Sequence, residues 1–288
     1  MTTVYPLILR LGPIEVTGYG LMMMVGFLAG GWLTTLELRR RSLREEYSAD
    51  MVVAAVVGGI IGAKLWYVAL TRDPSALFSR GGLVWYGGFL GGAVGVAVNS
   101  WRLRVPIRWT MQLAAPALAA AYALGRVGCF LINDDYGRPT SLPWAVKCPR
   151  GLPPSTAGNL HQLFGVPVPA GIDPGTVLAV HPTQLYEAAI MLGAFFVLWR
   201  WRRSVHPVGW LFGVYLVLAG TERFLIEIVR AKDDRFVGPF TLAQITSVLL
   251  VAVGAVLIAR WRRGPEIDPG PYLRDVSRQT VVRNAAAA

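Results

Sequence analysis

The 288-residue chain carries 28 Lys and Arg against 17 Asp and Glu, a formal charge of +11, yet 54% of it is apolar and 16% charged. Soluble domains average about 25% charged residues, so this balance, with a mean hydropathy of +0.46, argues against an ordinary soluble globule. Ten Trp, ten Tyr and eleven Phe exclude disorder, and two cysteines, Cys129 and Cys148, are too few for a disulfide scaffold.

In chain order, Met1 to Gly18 reads as an amphipathic lead-in on a membrane surface, without the basic flank or cleavage pattern of a signal peptide. A bilayer core takes about 20 apolar residues per helix. Such runs predict seven spans, at roughly 17–38, 51–70, 84–99, 111–132, 183–200, 208–229 and 241–259. The third is rich in glycine at four-residue spacing (Gly87, Gly91, Gly95), a pattern more often used for close helix packing than for ligand binding. No internal repeat stands out, which counts against inverted-repeat transporters.

Basic residues fall in short clusters between these runs, so topology explains them better than a nucleic-acid partner does. Arg39, Arg40, Arg41 and Arg44 follow span one; Arg102, Arg104 and Arg108 follow span three. Arg200, Arg202 and Arg203 follow span five, and Arg260, Arg262, Arg263, Arg274, Arg278 and Arg283 follow span seven. With seven spans all sixteen lie on one side, the cytoplasmic one, with the N-terminus outside and the C-terminus inside. The connection 133–182 then lies outside the cytoplasm; it is too long for a bare turn and predicts a small extracytoplasmic cap. The expected architecture is an all-α integral membrane protein: a seven-span domain over 1–263, with the cap at 133–182 between spans four and five, and a flexible cytoplasmic tail over 264–288.

Ionisable residues inside spans are costly and usually functional. Arg126, Phe130, Asn133 and Gly137 recur at helical spacing, ending beside Asp134 and Asp135; Arg223, Glu227 and Arg230 share a second face. His181-Pro182 looks like a helix start that sets Gln184 and Glu187 one turn apart. Any single pair could be a structural ion pair. Two arginines near one leaflet, without a matching excess of carboxylates, point instead to a phospholipid headgroup, because a guanidinium stays charged when desolvated and grips phosphate bidentately. Lys64 in span two is as well explained by snorkelling, and Cys129 reads as packing more than as a nucleophile. A Cys129–Cys148 disulfide on the outer face is conceivable but has no support in the spacing.

With these residues in view, the chain resembles the prolipoprotein diacylglyceryl transferase family to about residue 260. The resemblance rests on LGPIEVTGYGLMMMVGF, GAKLWYV, GGLVWYGGFLGG, GRVGCFLINDDYGRPT, HPTQLYE and ERFLIEIVRAKDDR, in that order. It implies seven spans with the N-terminus outside, in the bacterial cytoplasmic (inner) membrane. It also implies transfer of the diacylglyceryl group of phosphatidylglycerol to the lipobox cysteine thiol of prolipoprotein signal peptides, giving a thioether, with membrane lipids as surroundings and no metal or organic cofactor. Carried over residue by residue, Arg126 binds the phospholipid headgroup and Arg223 is the second essential arginine, with Glu227 one turn on. Gly137 closes the Arg126 block and Asp134 stands where many members have Glu. Tyr19 lies in the matching Tyr-Gly-Leu-Met element. Tyr86 replaces the family's His, Cys129 an Asn, and Ala219 a Tyr one turn before the second arginine, as in a divergent branch. The expected catalytic residues are therefore Tyr86, Arg223 and Glu227, with substrate held by Arg126, Tyr19, Asp134, Gly137 and Glu187. Glu187, Asp134, Glu227 and His181 are further candidates for the base, a structural role being at least as good for His181. Two alternatives stand beside transfer to prolipoprotein: a lipid transferase with another acceptor, and a non-catalytic phospholipid-binding membrane protein.

Overall fold

The computed structural model describes residues 9–11, 14–78, 84–232, 235–238, 240–262 and 266–274. The chain opens with β1 (Leu9–Leu11) paired antiparallel with β2 (Ile14–Val16), Leu9 opposite Val16. Over these residues the lead-in is a β-pair. Leu9, Leu11, Ile14 and Val16 are spaced for strands, with a period of two inside each.

Every predicted span coincides with a long helix: α1 (Gly18–Arg40), α2 (Tyr47–Thr71), α3 (Trp85–Arg102) and α4 (Ile107–Ile132), then α6 (Thr183–Trp201), α7 (Trp210–Val229) and α8 (Leu242–Trp261). The short α5 (Ala157–Gln162) lies between α4 and α6. Among the described residues α1, α2, α4 and α8 are long and apolar enough to cross a membrane, which makes this a mostly helical membrane protein with four such helices. The chain divides into two compact units. The first is Met1–Ala29, Ala115–His206 and Trp210–Arg263; the second is Gly30–Ala114, Pro207–Gly209 and Gly264–Ala288.

In the first unit, alanines of α4 (Ala115, Ala119, Ala123) pack with Met191, Ala194 and Leu198 of α6 and with Leu211 and Val214 of α7. α7 and α8 touch backbone to backbone: a Cβ on Gly213 would lie 2.9 Å from the Gly254 carbonyl oxygen. The start of α1 lies against α4 in the same manner, since a Cβ on Gly128 would meet the Tyr19 Cα at 3.3 Å. The segment 133–182 has a small core of its own, in which Tyr136, Cys148, Leu160, Val166 and Val180 gather with Ala231. Its strands β3 (Val146–Lys147) and β4 (Ala179–Val180) pair antiparallel.

In the second unit, α2 and α3 pack through Gly58, Gly62, Gly87, Gly91 and Gly95; a Cβ on Gly62 would lie 2.7 Å from the Gly91 Cα. The glycine spacing therefore serves close packing. Tyr47 at the start of α2 is fully buried, its hydroxyl 2.9 Å from Ser100 Oγ and 2.6 Å from Thr110 Oγ1. Residues 266–274, the beginning of the expected loose tail, pack here as well. Leu273 is wholly buried among Leu38, Leu43, Met51 and Trp109, the Trp109 indole donates to the Ile267 carbonyl (2.9 Å), and the Tyr272 hydroxyl donates to Asp50 (2.5 Å). Ile267, Tyr272 and Leu273 supply apolar surface that a polar average over the tail hides.

Candidate functional site

The charged groups of the first unit meet where α4, α6 and α7 end or begin. Arg126 lies within the last two turns of α4. Its Nε donates to Glu187 Oε2 (2.5 Å) and its Nη2 to Glu187 Oε1 (2.7 Å). Glu187, on the second turn of α6, is wholly buried, and it also accepts from the Tyr122 hydroxyl (2.7 Å). Tyr122 precedes Arg126 by one turn, and its ring centroid lies 5.7 Å from the guanidinium carbon. Three donors thus satisfy a carboxylate that would otherwise be costly to bury. Only Nη1 of Arg126 faces away from this clasp, toward Asp135 Oδ2 (3.1 Å) and Cys129 Sγ (3.4 Å).

α4 stops at Ile132, and Asn133 and Asp135 take left-handed conformations (φ 52° and 53°). Gly137 is therefore off the helix and not on the face predicted from its spacing. The two turns bring the Asp135 carboxylate back toward Arg126, and Arg230 donates to its other oxygen. Arg230, just past α7, also stands 3.6 Å from Glu227, which takes a 2.5 Å bond from Arg223 Nη2 one turn earlier. The helical spacing of Arg223, Glu227 and Arg230 is thus realised as a linked ion-pair chain. Among the described residues, four buried atoms here have no hydrogen-bond partner: Arg223 Nη1, Glu227 Oε1, Asp134 Oδ1 and Gln184 Oε1. Glu222 Oε1 is a fifth, on a residue that is 2% exposed.

The expectation that the arginines lack a matching excess of carboxylates is corrected. Asp134, Asp135, Glu187, Glu222 and Glu227 lie within the same network as Arg126, Arg223 and Arg230. The fork of Arg126 is already spent on Glu187, so a phosphate would meet its remaining Nη1. Burial, with the neighbouring Asp135 charge, pushes Asp134 up to about 6. Burial alone would raise Asp135 as well, but Arg230 and Arg126 outweigh it and hold that carboxyl below the usual range.

Of the other expected residues, Tyr19 on the first turn of α1 packs beside Gly128 and lies within electrostatic reach of Asp134, Asp135 and Arg126. Gly137 is needed for space: a Cβ there would come within 2.7 Å of His181 Cβ and 2.8 Å of the Val229 carbonyl oxygen. Its N–H donates to the His181 carbonyl (2.8 Å). His181 itself pairs with the Tyr186 hydroxyl (3.3 Å), and burial lowers its pKa. Gln184 donates to the Asp134 carbonyl, joining α6 to the turn. Tyr86 belongs to the second unit, on the first turn of α3, and is 46% exposed. The site described here is confined to the first unit.

Cys129 and Cys148 are both free and buried, so there is no disulfide between them. The Cys148 thiol donates to Asn133 Oδ1 (3.1 Å), and burial pushes it up to about 11. Ligand atoms of Cys129, Asp134 and Asp135 lie within 4.8 Å of one another, a spacing that could hold a metal. Arg126 Nη1 already sets a fixed cation against two of the three, which disfavours a second one there. Sequence reasoning missed Tyr122; its spacing of four from Arg126 was the available signal.

The model of the prolipoprotein diacylglyceryl transferase family matches residues 6–260. Among curated relatives, all named phosphatidylglycerol–prolipoprotein diacylglyceryl transferase, the protein of Clostridium tetani is 29% identical over 267 residues, covering 90% of this chain and 99% of the relative. That of Vibrio atlanticus is 30% identical over 282 residues, covering 92% and 94%. That of Thermosynechococcus vestitus is 31% identical over 257 residues, covering 86% and 89%.

Proposed function

Because the chain belongs to the prolipoprotein diacylglyceryl transferase family, we propose that it moves the diacylglyceryl group of phosphatidylglycerol onto the lipobox cysteine thiol of a prolipoprotein signal peptide. The substrate sulfur, as thiolate, bonds to the glyceryl carbon that carries the phosphate. The carbon–oxygen bond breaks, and its electron pair leaves with glycerol 1-phosphate. A free thiol has a pKa near 8.5, so one modest base or nearby cation suffices to ionise it.

The observation that carries this function is the set of arginines at the ends of α4 and α7. Arg126 is held in place by Glu187 and Tyr122, Arg223 by Glu227. Guanidiniums fixed before reaction, in a water-poor site, stabilise charge that grows on a departing phosphate. Tyr19 and Asp134 border the same site, and Gly137 shapes it by leaving room for His181. Tyr86 stands in for the family's histidine and ionises or orients the incoming thiol. No metal or organic cofactor is called on.

The same proposal places the protein in the bacterial inner membrane with seven spans, the N-terminus and the segment 133–182 outside, and the C-terminus in the cytoplasm. Residues 1–263 form the membrane domain. Purified protein incubated with phosphatidylglycerol and a lipobox peptide tests the function by mass spectrometry. Peptide that gains one diacylglyceryl group at its cysteine is the expected product; unmodified peptide at every protein concentration would refute transfer to prolipoprotein.

A further inference from the structure

Among the carboxylates of the arginine network, Asp135 stands apart. The side chains of Glu187 and Glu227 are 0% and 1% exposed and each clasps its own arginine, whereas Asp135 is 38% exposed. It sits on a turn and not on a helix, and each of its oxygens receives a different guanidinium: Oδ2 from Arg126 Nη1 (3.1 Å) and Oδ1 from Arg230 Nη2. Arg223 adds to the positive field at the same carboxylate, and its buried Nη1 has no acceptor among the described residues. A carboxylate and a phosphodiester present the same feature to such donors, a pair of oxygens sharing one negative charge.

We propose that the Asp135 carboxylate occupies the seat of the substrate's phosphate, that the phosphate displaces it on binding, and that Arg230 is a third phosphate-binding arginine beside Arg126 and Arg223. This rests on the transfer reaction above and names how its headgroup site is filled and emptied. On arrival the phosphate takes over Arg126 Nη1 and Arg230 Nη2 and gives Arg223 Nη1 the acceptor it lacks. When glycerol 1-phosphate leaves, Asp135 swings back and neutralises the arginines, so the leaving group meets a competitor tethered beside it. Glu187 and Glu227 stay in place throughout, since each is buried under its own ion pair.

A tethered competitor weakens binding, so its removal must tighten it, an effect that a merely structural ion pair would not produce. The test is a titration with glycerol 1-phosphate, read both as inhibition of transfer and as thermal stabilisation of the purified protein, beside the KM for phosphatidylglycerol in vesicles. Asp135→Asn is expected to lower the inhibition constant and the KM about tenfold, and Arg230→Gln to raise both by a similar factor. Unchanged or weaker binding in Asp135→Asn overturns the displacement. If Asp135→Asn does not accumulate, Arg230→Gln decides, and wild-type values in that variant overturn the proposal. A wild-type protein that transfers nothing refutes the transferase function alone. The stabilisation by glycerol 1-phosphate is then still measured, and an equal shift, or none, in wild type and Asp135→Asn counts against Asp135.

Discussion

Arg126 on α4 and Glu187 on α6, 61 residues apart, are joined by two parallel bonds of 2.5 and 2.7 Å. The pair does two things at once. It ties the middle of the chain to the helix that follows the 133–182 segment, and it fixes the plane of the guanidinium so that one nitrogen points at Asp135.

Arg126→Ala removes the cation and leaves Glu187 buried without its main partner, a loss of about 3–5 kcal/mol for a broken buried pair. Transfer activity falls to background in Arg126→Ala and in Arg223→Ala. Arg126→Lys recovers little, because a point charge cannot grip both Glu187 oxygens and still face Asp135. Near-normal turnover in Arg126→Ala, at normal expression, would reduce the arginine to a structural partner.

Tyr86→Phe cuts the transfer rate at least tenfold, about 1.4 kcal/mol of transition-state stabilisation, if the hydroxyl ionises or orients the thiol. Assays between pH 6 and 9 check this. An unchanged rate and pH profile would remove Tyr86 from the mechanism.

The two adjacent carboxyls respond to pH with opposite signs. Asp134, raised to about 6, stabilises the fold only while protonated; that contribution is complete below the ordinary carboxylate range and disappears as pH rises through 6. Asp135, held low, contributes above the ordinary range and loses its contribution as pH falls through its lowered pKa. Thermal unfolding in detergent between pH 4 and 7 spans the window in which Asp134 ionises. Wild type loses stability across that window and Asp134→Asn flattens the curve; parallel curves would assign the slope to other groups.

Gly62→Val forces α2 and α3 apart, because the new side chain meets the Gly91 Cα and the Gly87 carbonyl. The cost is about 1–3 kcal/mol or more, typical of overpacking, and appears as a lowered unfolding midpoint. Gly193→Ala on α6, where a Cβ would find nothing within 4 Å, is neutral or slightly stabilising. Equal effects at the two positions would contradict the close α2–α3 contact.

Reporter fusions after Arg44 and Arg203 are expected to report cytoplasm, and one near Gly158 the exterior. An exterior signal at Arg203 would break the seven-span arrangement.

The helices were legible in the sequence because length and apolarity are local properties, and each predicted run overlaps an observed helix. The Arg223–Glu227 pair was legible for the same reason, lying four residues apart on α7. The face drawn through Arg126, Phe130, Asn133 and Gly137 failed past Ile132. The apolar run was read to end at 132, as α4 does, but the helical spacing was carried past that end, where Asn133 and Asp135 take left-handed conformations.

Composition and motif order by themselves determined that this is a helical membrane protein of the diacylglyceryl transferase family. Tertiary structure alone decided what its arginines hold. Glu187 reaches Arg126 only because α6 packs on α4 through small alanines, and Asp135 lies between Arg126 and Arg230 only because the chain reverses after α4. The anchoring of residues 266–274 by Leu273 and Tyr272 is of the same kind. Charge and hydropathy are sums over a stretch of sequence, whereas an ion pair or a buried side chain depends on direction and on partners supplied by distant residues.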